Sequence, residues 1–248
     1  MCIGDRRELG GLVRIAGDLA AEDKAALTRS EHVTRARMIA KPLEQQVADR
    51  YLERQSEYAM LVNRGERIGR VNGLAVLGAD TGLSDYSGVV LPVEAMVTPA
   101  HGRSGKVIAT GGLSDLAQES VTNISAVVKK LTGKDIQDYD LHVQFPGTHN
   151  VDGDSASITM ATAIISAFEG IPIEQNLAMT GSLTVRGEVL PIGGVSAKIE
   201  AAVKSGIEKV IIPRSNLQDV LIDEKYEAKV EILPVDSLDE VLQHALVG

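Results

Sequence analysis

Residues 157–170, "SITMATAIISAFEG", constrain this chain more than any other stretch. Ile158, Met160, Ala161, Ile164, Ile165 and Phe168 spread apolar groups nearly all the way round a helix and leave no polar stripe. Such a helix has no face to offer water, so other elements must enclose it on most sides. Gly170 and Pro172 supply its stop. The spacing predicts a helix over residues 155–169, buried inside a layered fold. Just ahead of it stands "DGDSAS", residues 152–157, and two readings of that hexapeptide are open. Asp154 or Ser155 caps the helix, as Ser and Asp commonly do. Alternatively Ser155 is a nucleophile at the positive end of the helix dipole, with backbone N–H groups free to hold an oxyanion and Gly153 letting a substrate approach.

The rest of the chain supplies the enclosing elements. Beyond residue 78 short β-type runs alternate with helical ones: "GVVLPVEAMV", "KVIATG", "LSDLAQESVTNISAVVKKL", "DLHVQF", the buried helix, "NLAMTGSLTVRGEV", a helix over 197–204, "KVIIP", "KVEILPV" and a last helix near 238–246. This alternation predicts an α/β or α+β domain with mixed sheets packed against helices. "KVIIP" and "KVEILPV" read as one right-handed crossover unit. Residues 22–58 are charged and almost free of glycine, and they read as two or three helices, with Pro42 opening the last. The glycine-rich "NRGERIGRVNGLAVLG", residues 63–78, marks a boundary between the helical segment and the mixed domain.

Composition removes several function classes. At 248 residues and 44% hydrophobic content the chain can build a sizeable core. A net charge of -9, with two phenylalanines and five tyrosines, argues against a nucleic-acid surface. The single cysteine, Cys2, supports neither a disulfide framework nor a thiolate metal cluster. No apolar run reaches the roughly 18 to 20 residues of a membrane span, and the N-terminus has no signal-peptide centre, so a cytoplasmic protein is expected.

A serine nucleophile needs a base. His149 sits in a polar loop, His142 in a strand with apolar neighbours where a structural role is the commoner one, and His32, His101 and His244 have no motif around them. Lysine is the less usual base. In "GGVSAKIEAAVKSG" the apolar face runs through Val195, Ile199, Ala202 and Val203, and helical spacing puts Lys198 on its flank, with Lys204 on the solvated side. A lysine of ordinary pKa, about 10.4, is neutral in only about one molecule in 2,500 at pH 7, so it becomes a base only when desolvated. A lysine snorkelling along the helix edge is the competing reading. "MTGSLTVRGEVLPIGG" reads as a hairpin leading into this helix, and Thr180 at its first strand's end could hydrogen-bond a nearby ammonium or hydroxyl.

Together, "DGDSAS", "MTGSLTVRGEVLPIGGVSAKIEAA", "KVIIPRSN" and the upstream "ATGGLSDLAQES" resemble the proteolytic domain of the Lon family, in its archaeal, LonB-type branch. Ser155 and Lys198 stand 43 positions apart, in agreement with that family. The resemblance implies an ATP-dependent serine endopeptidase of unfolded polypeptides with a Ser-Lys dyad: Ser155 as nucleophile, Lys198 as base, Thr180 orienting the lysine, and Asp152, Gly153 and Asp154 in the loop before the nucleophile. Bacterial-type members carry proline where this chain has Asp154, which leaves a pairing of Asp154 with Lys198 open. Residues 1–62 resemble the end of the helical subdomain of an AAA+ module, with Arg7 fitting its nucleotide-contacting arginine. Residues 63–78 would link to and begin the Lon proteolytic domain of residues 68–248.

The resemblance further implies a homo-hexamer, no metal or cofactor for peptide hydrolysis, and ATP with Mg in a full-length protein. No G-x-x-x-x-G-K-[ST] phosphate loop occurs in these 248 residues, so a fragment of a longer protein, or a truncated one, is expected. Anchoring of the parent protein to the cytoplasmic face of a membrane stays open. Glu94 falls in a segment the family uses near its substrate groove, and an exposed strand position explains it equally well. The alternatives from another class are a catalytically latent domain and a non-catalytic Lon-like assembly module; the presence of both Ser155 and Lys198 favours the enzyme.

Overall fold

The computed structural model of the chain describes residues 3–39, 50, 61–77, 87–101, 105–110, 115–134, 136–146 and 154–248. The chain divides into two compact units, Met1–Tyr51 with Leu77–Ser87, and Leu52–Val76 with Gly88–Gly248. In the first, helix α1 (Ile3–Glu22) packs on α2 (Ser30–Ile39). Leu12, Ile15, Ala16 and Leu19 recur at helical spacing and enclose Ala36. The buried His32 accepts a hydrogen bond at Nδ1 from the Arg29 N–H (2.9 Å) and so satisfies an amide at the start of α2. Pro42 lies outside the described residues.

The second unit is built on a seven-stranded mixed sheet. Its strands are β2 (Arg70–Leu77), β3 (Ser87–Pro99), β4 (Val107–Thr110), β5 (Tyr139–Gln144), β7 (Leu177–Met179), β10 (Lys209–Pro213) and β11 (Glu231–Val235), in the spatial order β11-β10-β7-β2-β3-β5-β4. From β11 to β2 neighbouring strands are parallel; β3 and β5 are antiparallel, and β5 and β4 parallel. Two short antiparallel pairs complete the strands, β1 (Glu66–Arg67) with β6 (Ile173–Glu174), and β8 (Ser182–Leu183) with β9 (Val189–Leu190). The glycine-rich stretch 63–78 thus holds a strand at the centre of the sheet. "KVIIP" and "KVEILPV" are adjacent and parallel, as expected.

Helices α3 (Asp115–Thr132), α4 (Ser157–Glu169), α5 (Val195–Lys204), α6 (Glu224–Glu227) and α7 (Leu238–Ala245) follow the sequence pattern. Of the thirteen residues in α4, eleven are buried, as an all-round apolar helix requires. It ends at Gly170, whose left-handed φ of 67° a side chain with Cβ would resist. Strand alternation separates the helices. Leu74 and Val90 pack with Val195, Ile199 and Ala202 of α5, whereas a Cβ at the adjacent Gly73 would touch Thr159 of α4. Helices α4 and α5 therefore cover opposite faces of the sheet.

Three expectations are corrected. The buried helix begins at Ser157, two residues later than the spacing predicts. Its N-cap is Ala156 and no side chain caps it, so neither Asp154 nor Ser155 is a capping residue. The cause is tertiary: the Gly181 N–H (2.8 Å) and the Thr180 hydroxyl (3.2 Å) both donate to the Ser155 carbonyl, holding it out of the helical ladder. His142 is exposed on β5 rather than structural, because Leu141 and Val143 take the inward positions.

Candidate active site

Because α4 and α5 lie on opposite faces, groups they carry can meet only past the end of a strand. Strand β7 ends at Met179, and Thr180, fully buried, follows it. Its hydroxyl accepts a hydrogen bond from Lys198 Nζ (3.1 Å) and donates one to the Ser155 carbonyl (3.2 Å). The threonine of the sequence pattern therefore bridges the segment before α4 and the lysine of α5. This lies at the carboxyl ends of parallel strands, where open α/β sheets commonly hold their sites.

Lys198 is only 2% exposed, which the flank position alone does not reveal. Strand β3 and α5 approach closely at Gly88, where a Cβ would stand 2.0 Å from the Ala197 carbonyl oxygen. No residue but glycine fits that approach. Burial pushes the Lys198 pKa down from 10.5 to about 8, with the Asp154 carboxylate opposing part of the shift. Roughly one molecule in ten then has a neutral amine at pH 7, against one in thousands for an ordinary lysine. Lys204 is exposed, as its place on the solvated face predicts.

Ser155 is half-buried in the turn before α4, and among the described residues its hydroxyl has no hydrogen-bond partner. Asp154 is exposed, and its Oδ2 accepts a hydrogen bond from the buried Ser182 Oγ (2.5 Å). The Ser157 and Ile158 amides are taken by the Asp154 and Gly181 carbonyls, so the first helical N–H groups are not free for an anion. Asp152, Gly153 and His149 lie outside the described residues, as does the side chain of Arg7, whose backbone belongs to α1. Glu94 on β3 pairs with Arg70 (2.6 Å). Among the described residues no group of three or more His, Cys, Asp or Glu is placed to hold a metal ion, and no helix is long and apolar enough to cross a membrane.

Residue-by-residue reasoning missed Ser182 on β8, Ser196 in the first turn of α5 and Asn216 in the turn after β10. Asn216 falls within "KVIIPRSN", a stretch singled out without a role for the asparagine. The β8–β9 hairpin leading into α5 is present with Ser182 opposite Leu190 and Leu183 opposite Val189.

Comparison with known proteins identifies the family of the chain. Residues 44–248 match the Lon protease (S16) C-terminal proteolytic domain. The chain is 54% identical to the archaeal Lon protease of Archaeoglobus fulgidus over 242 residues, 97% of this chain and 38% of that protein. It is 55% identical to that of Thermoplasma acidophilum over 244 residues, 98% of this chain and 37% of that protein. A bacterial relative, the Lon protease of Brucella abortus, is 38% identical over 73% of the chain and 23% of its own length. The chain thus spans well under half the length of the curated relatives it matches. Matched over most of its length and more than half identical to archaeal members, the chain belongs to the Lon protease family and carries its C-terminal proteolytic domain.

Proposed function

We propose that this chain is the peptidase part of an ATP-dependent serine endopeptidase that degrades unfolded or damaged polypeptides, with Ser155 as nucleophile and Lys198 as general base. The observation that carries this reading is the buried Lys198, its pKa pushed down to about 8, hydrogen-bonded to a threonine that also holds the Ser155 backbone. A neutral amine of that strength takes the proton of the Ser155 hydroxyl as Oγ bonds to the peptide carbonyl carbon. The tetrahedral oxyanion is held by backbone N–H groups near residues 153–155, since those of Ser157 and Ile158 are occupied. Collapse breaks the C–N bond, the lysine ammonium returns its proton to the leaving amine, and a water activated by the same lysine then releases the acyl group from Ser155.

Thr180 orients the lysine, and Asp154, with Asp152 and Gly153 before it, shapes the approach. No cofactor takes part in peptide hydrolysis under this reading. ATP and Mg act in an AAA+ module of the full-length protein, to whose helical subdomain residues 1–62 belong; residues 63–78 lead into the proteolytic domain of 68–248, and Arg7 contacts nucleotide only with that module complete. The working assembly is a homo-hexamer in the cytoplasm. One observation favours a second reading, a latent domain: Lys198 donates to Thr180, not to Ser155. In that case substrate or the ATPase ring must bring the hydroxyl to the amine; catalytic hydrogen bonds often tighten only in the complex.

The test follows cleavage of denatured casein and of a short fluorogenic peptide by the chain, its Ser155→Ala variant and its Lys198→Ala variant. Loss of cleavage in both variants supports the dyad. Cleavage surviving both overturns it, and cleavage appearing only on fusion to an ATPase module supports the latent form.

A further inference from the structure

Helix α5 starts without a side-chain cap of its own: Gly194 is the N-cap, at a left-handed φ of 67°. The helix is reached through Gly193 and Gly194, two residues with no Cβ to restrict the backbone. A segment about twenty residues downstream, the 3-10 turn Arg214–Asp219, holds this start in place. Asn216, 2% exposed, accepts a hydrogen bond from the Ile192 N–H (2.9 Å) and donates to the Ile192 carbonyl (3.0 Å), satisfying both backbone groups of the residue before the glycine pair. Its Nδ2 also donates to Asp219 Oδ2 (3.0 Å). Ser196, in the first turn of α5 and two positions before the lysine, donates to the Asp219 carbonyl (3.1 Å) and accepts from the Leu221 N–H (2.8 Å).

We propose that Asn216, together with Ser196, is a positioning residue for Lys198, fixing the rotation and axial setting of α5 so that the ammonium stays buried against Thr180. This inference rests on the Ser155–Lys198 reading above. Successive residues of a helix point about 100° apart, so a rotation of α5 by a fraction of that angle turns Lys198, on the flank of the apolar face, toward the solvated side. Gly88 blocks inward movement on one side of α5, and the Asn216–Ser196 clamp limits rotation at its start. A residue that only stabilised the fold would change melting without changing the state of the lysine.

The experiment uses the whole chain with 13C at the lysine ε-carbons, and the Lys198 signal is assigned by its loss in Lys198→Met. The unaltered chain, Asn216→Ala and Ser196→Ala are titrated by NMR, and kcat and KM on a fluorogenic peptide are measured across the same pH range. Asn216→Ala is expected to raise the Lys198 midpoint from about 8 toward its ordinary 10.5. Each unit of that shift lowers kcat about tenfold near pH 7, leaves KM little changed, and is recovered at high pH. Ser196→Ala, whose half-exposed site tolerates truncation, moves the midpoint in the same direction by less and decides the matter if Asn216→Ala fails to fold. An unmoved midpoint in folded variants overturns the inference while leaving the protease reading intact. A midpoint that moves in a chain without peptidase activity supports the positioning role and favours the latent form over a chain active by itself.

Discussion

Replacing Lys198 by methionine keeps an unbranched side chain of similar length and removes the ammonium, and the structure gives both sign and size of the result. The folded-state pKa of Lys198 is lowered from 10.5 to about 8 at a site 2% exposed. Between those values the unfolded chain holds a proton that the folded chain has released, so stability rises with pH through that window. Below pH 8 the cost of burying the charge is fully present, and about 2.5 pKa units correspond to roughly 3 kcal/mol. The lost hydrogen bond to Thr180 offsets about 1 kcal/mol of the gain. Lys198→Met is therefore expected to be about 2 kcal/mol more stable than the unaltered chain at pH 7, a rise of about 4–8 °C in Tm for a domain of this size. The gain should fade as pH approaches 10.5. Urea unfolding at pH 7 and pH 10 measures it. A variant less stable at pH 7, or one whose gain is the same at both pH values, refutes the claim that the ammonium is held in a desolvated site.

Three further outcomes follow from the same geometry. Thr180→Val removes the acceptor for Lys198 and the donor to Ser155; kcat is expected to fall at every pH, by an amount equivalent to about 1.5–3 kcal/mol, while Thr180→Ser retains most activity, as steady-state kinetics would show. Gly88→Ala drives a Cβ against the Ala197 carbonyl, so α5 must move back; thermal melting should register a loss of about 1–3 kcal/mol, and the Lys198 midpoint should rise as the lysine gains water. Asp154→Asn removes the carboxylate that opposes the pKa depression, so the pH–rate profile should shift toward acid.

Much of this was legible in the sequence because it rests on local periodicity. The all-round apolar α4 and the hairpin β8–β9 each lie within one short stretch, and "KVIIP" and "KVEILPV" are each apolar runs bounded by turn signals. His142 was misread as structural from its apolar neighbours: Leu141, Val143 and Phe145 alternate with it, and that alternation sends it to the open face. The start of α4 was not legible, because it is set by hydrogen bonds from Thr180 and Gly181, some 25 residues away. Nor was the depth of Lys198, which depends on Gly88 letting a strand come within contact of α5. Ser182, Ser196 and Asn216 are small polar residues whose partners are a turn aspartate or distant backbone groups, and local spacing carries no record of such bonds.

The most direct test of the central claim is the rate at which a serine-reactive fluorophosphonate labels this chain as a function of pH, with the modified residue located by peptide mass spectrometry. The account predicts a single adduct on Ser155 whose rate rises through a midpoint near pH 8 and is lost in Lys198→Met. An adduct on another residue, or labelling of Ser155 that is indifferent to both pH and the lysine, contradicts it.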